Sequence, residues 1–133
     1  MMGSAENTVG IIITHGSLAE ELKETVNLIL GRVEGLVPVC SGDLSDEAVI
    51  EKIKEIITES GADRLVMFVD YCGGSCFNNC FRAVKGLKNV TIISGVNLPV
   101  LLDFATKRKI MDFDEMVDHL VKRGRESISC DRI

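Results

Sequence analysis

The sequence predicts an α/β fold in which a mainly parallel sheet carries helices on both faces. Three observations lead there. Short β-branched apolar runs alternate along the chain with longer segments whose apolar residues recur at helical spacing. The runs at 9–14 and 65–70 are almost free of polar residues, as strands buried on both faces require. With 133 residues, two prolines and no linker-like stretch, one domain covering 1–133 accounts for the whole length.

Val9-Gly10-Ile11-Ile12-Ile13-Thr14 reads as the first strand. Ser17 with Glu20 has the form of a capping box, so a helix is expected to start there; Leu18, Leu22, Val26, Ile29 and Leu30 follow on one side, up to Gly31. Leu36-Val37-Pro38-Val39-Cys40 is the second strand, and its proline, which lacks a ladder donor, assigns it to a sheet edge. Ser45 opens a second helix with Val49, Ile50, Ile53, Ile56 and Ile57, which stops near Gly61. The third strand is Leu65-Val66-Met67-Phe68-Val69-Asp70, and Tyr71-Cys72-Gly73-Gly74-Ser75 turns into a helix over 76–85. Val90-Thr91-Ile92-Ile93-Ser94 is the fourth strand, and Pro99 sits in the first turn of a helix over 98–107. Asp112 with Glu115 caps a last helix that should end at Gly124, and the alternation Ser127-Ile128-Ser129-Cys130 reads as a short terminal strand. Residues 1–7 lack periodicity and are expected to be flexible; they have neither the positive nor the apolar region of a signal peptide.

Right-handed crossovers and an edge position for the second strand select a flavodoxin-like order, 2-1-3-4. That order makes strands one and three neighbours, with His15 and Asp70 at their carboxyl ends. The crevice between them is the switch point where open sheets bind ligands.

Composition narrows the function. The net charge of −5 argues against non-specific nucleic-acid binding, and no run approaches the ~20 apolar residues of a membrane helix. Five cysteines, an odd number without an export signal, point to a reducing cytoplasm. Cys72, Cys76 and Cys80, with Cys40 or His15, are the material for a thiol or metal site, but no CxxC pair is present and structural thiols are the ordinary reading. The phosphate loop of nucleotide-binding proteins and the dinucleotide fingerprint are both missing from the sequence. Cys76 and Arg82 have the bare spacing of a thiol phosphatase loop, but the glycines between them are lacking. His119, the only other histidine, reads as structural.

The chemistry that remains centres on an imidazole. A carboxylate that accepts from one ring N–H fixes the tautomer and leaves the other nitrogen free to attack, and Asp70 is placed to do this for His15. The same carboxylate stabilises the cationic ring formed when that nitrogen takes a phosphoryl group. Gly73, Gly74 and Ser75 supply unobstructed backbone N–H groups at a helix start and a hydroxyl for the phosphoryl oxygens.

These residues resemble a known family, the IIA domain of the mannose-type sugar phosphotransferase system. The likeness lies in Thr14-His15-Gly16 with Leu18-Ala19, in Asp70 followed by Gly73-Gly74-Ser75 and Phe77-Asn78, in Gly95-Val96-Asn97-Leu98-Pro99, and in Gly124-Arg125-Glu126. The resemblance implies a cytoplasmic homodimer, with a terminal strand exchanged between subunits. It implies a His15 that takes phosphate from the carrier HPr and passes it to a IIB component, without metal or organic cofactor. Asp70 becomes the orienting partner, and Thr14, Gly73, Gly74, Ser75 and Asn97 the phosphate-binding set. A regulatory domain of the same fold, whose phosphorylation state another protein reads, is the alternative. The chain departs from the family where Cys72 replaces an aromatic and Cys76 a proline, and a thiol at either position is a candidate for oxidation.

Overall fold

The computed structural model describes residues 7–133. Four parallel strands, β1 (Thr8–Thr14), β2 (Leu36–Cys40), β3 (Arg64–Val69) and β4 (Val90–Ser94), form one sheet in the order β2-β1-β3-β4. The proline-bearing β2 lies at the edge, where the missing N–H at Pro38 does least harm. Every residue of β1 is buried, and so are five of the six in β3, which explains the lack of polar residues in both runs.

Five helices cover the sheet: α1 (Leu18–Leu30), α2 (Asp46–Ser60), α3 (Ser75–Ala83), α4 (Leu98–Lys107) and α5 (Phe113–Glu126). Alternate strand residues feed two cores. Ile11, Ile13, Met67 and Val69 pack with Val49, Ile53, Cys76 and Cys80 of α2 and α3. Ile12, Val66 and Phe68 pack on the other face with Ala19, Val26, Leu101, Phe104, Met116 and Leu120 of α1, α4 and α5. In this second core Phe104 meets Phe68 edge to face at 5.3 Å and fills the space left by Gly10, where a Cβ would lie 2.7 Å from the Phe104 ring.

Four boundaries differ from the sequence reading. The Ser17 side chain makes no capping bond; Thr14, fully buried at the end of β1, accepts from the Ala19 N–H at 2.7 Å and caps α1 from outside the helix. α5 runs through Gly124 to Glu126, because this glycine is there for close packing: a Cβ would stand 2.7 Å from Val100 of α4. Residues 127–130 form no strand and pair with none of the four strands among the described residues. The segment expected to be flexible, 1–7, lies outside the described residues except for Asn7. That residue is tied down: its N–H donates to Asp63 at 2.7 Å, its Nδ2 to the Ser60 carbonyl at 2.7 Å, and Arg108 reaches its Oδ1 while donating to the Thr8 carbonyl.

Candidate functional site

His15 leaves the end of β1 and Asp70 the end of β3, so the pairing of these strands sets the two side chains next to each other. Asp70 Oδ2 accepts from the His15 backbone N–H at 2.9 Å and lies 2.8 Å from the ring Nδ1, while Oδ1 accepts from the Tyr71 N–H at 3.0 Å. Burial by itself would push the Asp70 carboxyl up. The hydrogen bonds from the His15 backbone and ring, with the Tyr71 backbone, outweigh it and hold the carboxyl below the usual carboxylate range. An ionised carboxylate can only accept, so Nδ1 carries a proton, and in the neutral ring Nε2 then carries the lone pair. Ser75 Oγ lies 3.2 Å from Nε2, and its hydroxyl donates to that nitrogen in this tautomer.

Backbone geometry presents Ser75. Gly73 has φ +87°, a left-handed conformation that favours glycine. At Gly74, the N-cap of α3, a Cβ would stand 2.8 Å from the Tyr71 ring, so glycine lets Tyr71 fold over the loop. The Tyr71 ring then stacks on the imidazole, 5.5 Å between centroids with planes 19° apart. Ser75 is also the first residue of α3, whose first-turn N–H groups have no intrahelical acceptor.

Two predicted phosphate ligands stand elsewhere. Thr14 is fully buried with its hydroxyl oxygen engaged by α1, which makes it a capping residue under the site. Asn97 caps α4 by accepting from the Val100 N–H at 3.1 Å, and its Nδ2 donates to the Gly124 carbonyl and the Ser127 hydroxyl. Its side chain is spent on joining α4 to α5. Conversely, sequence reasoning missed Tyr71, though an aromatic between Asp70 and a Gly-Gly turn was its available signal.

The thiols divide. Cys76 and Cys80 are buried on α3, and Cys72 is exposed in the turn. Burial, followed by the Asp70 charge, raises the Cys76 thiol, and burial raises Cys80 still further, so neither is the activated thiolate that oxidation favours. The grouping of Cys72, Cys76 and Cys80 is not what converges. Among the described residues, His15, Asp70 and Cys76 bring donor atoms within 4.8 Å of one another, with Cys76 Sγ 3.6 Å from His15 Nδ1.

His119 Nε2 meets Asp103 at 3.0 Å, with Arg123 Nε 3.5 Å from the same oxygen, which ties α5 to α4. No helix among the described residues is long and apolar enough to cross a membrane.

An open parallel α/β sheet that holds a carboxylate-oriented histidine at its switch point, with a hydroxyl beside Nε2, has the groups that histidine-based phosphotransfer requires. The comparisons agree. Residues 10–121 match the family model described as "PTS system fructose IIA component", and the chain belongs to this family. It is 36% identical over 126 residues to the mannose-specific EIIAB component of Escherichia coli K12; the match covers 91% of this chain and 39% of that protein. It is 27% identical over 120 residues to the fructose-specific EIIA component of Bacillus subtilis, covering 88% of this chain and 82% of that one. The crystal structure of a phosphotransferase system EIIA component from Streptococcus agalactiae shares the fold, with a TM-score of 0.85 and 21% identity over 92% of this chain and 96% of that one.

Proposed function

We propose that this chain is a phosphohistidine carrier of a mannose-type sugar phosphotransferase system. It accepts a phosphoryl group from HPr on His15 and passes it to a IIB component. The supporting observation is the hydrogen-bonded line from Asp70 through Nδ1 and Nε2 to Ser75.

In the forward step the Nε2 lone pair attacks phosphorus. The bond from phosphorus to the donor breaks, and its electron pair leaves with the donor. The ring becomes a cation whose positive charge faces Asp70 across the Nδ1–H bond, while the phosphoryl oxygens take the Ser75 hydroxyl and the N–H groups at the start of α3. Transfer to IIB reverses these movements. Phosphoryl transfer asks for little beyond positioning and charge stabilisation, which these groups supply.

The same reading includes a cytoplasmic homodimer. Its support is β4, an edge strand with most of its residues half-exposed, and a C-terminal tail with no strand partner of its own. Sedimentation of the purified chain would give the mass of two copies; a monomer at all concentrations would remove the dimer.

Radiolabelled phospho-HPr tests the carrier role. The chain should acquire a base-stable, acid-labile phosphate, and a His15→Ala variant with an unchanged circular dichroism spectrum should acquire none. Equal labelling of that variant would overturn the proposal.

A further inference from the structure

The relay from Asp70 to Ser75 leaves one nearby heteroatom unused. Cys76 Sγ sits 3.6 Å from His15 Nδ1, on the side of the ring that faces Asp70. Thiol, imidazole and carboxylate are the three donor types of zinc sites, and the spacing can be compared with what the metal demands. Zinc–nitrogen and zinc–sulfur bonds of about 2.05 and 2.3 Å at a tetrahedral angle set nitrogen and sulfur about 3.6 Å apart. The same geometry sets nitrogen and a carboxylate oxygen about 3.4 Å apart and oxygen and sulfur about 3.6 Å apart. Asp70 Oδ2, now 2.8 Å from Nδ1, must draw back from it by about half an ångström, and the three donor atoms already lie within 4.8 Å of one another. The His15 side chain is 45% exposed, so a cation can approach the ring from solvent.

We propose that His15 Nδ1, Asp70 Oδ2 and Cys76 Sγ form a zinc site that switches the phosphoacceptor off. The binding stands on geometry alone; its consequence rests on the carrier role proposed above. Zinc occupies the Nδ1 lone pair, so the neutral ring must hold its proton on Nε2. The lone pair that attacks phosphorus is then gone. The ring loses no proton overall, the thiol loses one, and Zn²⁺ binding to the neutral-ring protein releases one H⁺ and forms bonds to Nδ1, Oδ2 and the thiolate. Water takes the fourth position. The ion also removes the two obstacles to a thiolate here, since it neutralises the Asp70 charge and replaces lost hydration with a covalent partner.

Titration calorimetry of the chain with zinc chloride, in buffers of different ionisation enthalpy at about pH 8, above the ordinary imidazole value, should give one zinc per chain and one proton released. Cobalt in place of zinc should give a thiolate charge-transfer band in the near ultraviolet. Cys76→Ala and Cys76→Ser should lose the band and weaken zinc binding by at least about tenfold, the scale that even an outer-shell change produces. Cys72→Ala should keep both. Zinc binding that survives both Cys76 variants, or none in the parent chain, would overturn the site. One equivalent of zinc should slow labelling by phospho-HPr at least about tenfold in the parent chain, reversibly with a chelator, and leave labelling of Cys76→Ala unslowed. Tight zinc with undiminished labelling would overturn the switch. A parent chain that takes no phosphate without zinc would refute the carrier role, and calorimetry would then judge the metal site by itself.

Discussion

Replacing Asp70 by asparagine keeps the side-chain shape and removes its charge, which isolates what the carboxylate does for the phosphorylated ring. In the unmodified chain Oδ2 stands 2.8 Å from Nδ1. Two unit charges at that separation attract by about 1.5 kcal/mol in water and about 6 kcal/mol at an effective dielectric constant of about 20. The histidine side chain is 45% exposed and the aspartate 15%, so the lower part of that interval applies, in agreement with the roughly 1.5–3 kcal/mol of a charge-assisted hydrogen bond. Asparagine also offers an N–H₂ group where an acceptor is needed and biases the ring toward the wrong tautomer. Phosphorylation should therefore slow by about 10- to 150-fold. Rapid-quench measurement of labelling by phospho-HPr reads the rate, and urea unfolding confirms that the variant is folded. A folded variant within about threefold of the parent rate, less than 1 kcal/mol, would refute a stabilising role for Asp70.

Three further outcomes follow from the packing and the titration of the site. Because hydrogen bonds from His15 and Tyr71 hold the Asp70 carboxyl low, the unfolded chain takes up this proton at higher pH than the folded one. The stabilisation is complete above the ordinary carboxylate value and is lost as pH falls through the lower, folded one, so the urea-midpoint gap between parent and Asp70→Asn should shrink as pH is taken down through and below the ordinary carboxylate value; a widening gap would contradict this. Gly10→Ala drives a Cβ to 2.7 Å from the Phe104 ring and should cost about 1–3 kcal/mol in urea unfolding, whereas an unchanged midpoint would show that the ring simply shifts. Thr14→Val should cost about 1 kcal/mol through the lost α1 cap and Ser17→Ala less than about 0.5, and the reverse ranking would assign the cap to Ser17.

The sheet was legible because burial writes itself into β-branched runs and Pro38 marks an edge. With the right-handed crossover rule these select the strand order, and with it the meeting of His15 and Asp70 across 55 residues. Ser45 and Asp112 were readable caps, each accepting from the N–H three residues on. What escaped depends on contacts that local sequence does not encode. Thr14 caps α1 from five residues away and displaces the Ser17 that the local motif favours. Asn97 follows a strand as a site residue should, yet its amide joins α4 to α5. Gly124 looks like a helix end, although it is the point where two helices touch. Tyr71 becomes part of the site only when the Gly73-Gly74 turn folds it onto the imidazole.

The reading stands on which atom takes the phosphorus. Nuclear magnetic resonance of the chain labelled with nitrogen-15 in its histidines, after phosphorylation by phospho-HPr, reports the nitrogen bonded to phosphorus through its coupling. With Nδ1 held by Asp70 at 2.8 Å and Nε2 facing Ser75 at 3.2 Å, the phosphoryl group should sit on Nε2 of His15, with Nδ1 still protonated. Phosphorus on Nδ1, on His119 or on neither histidine would contradict it.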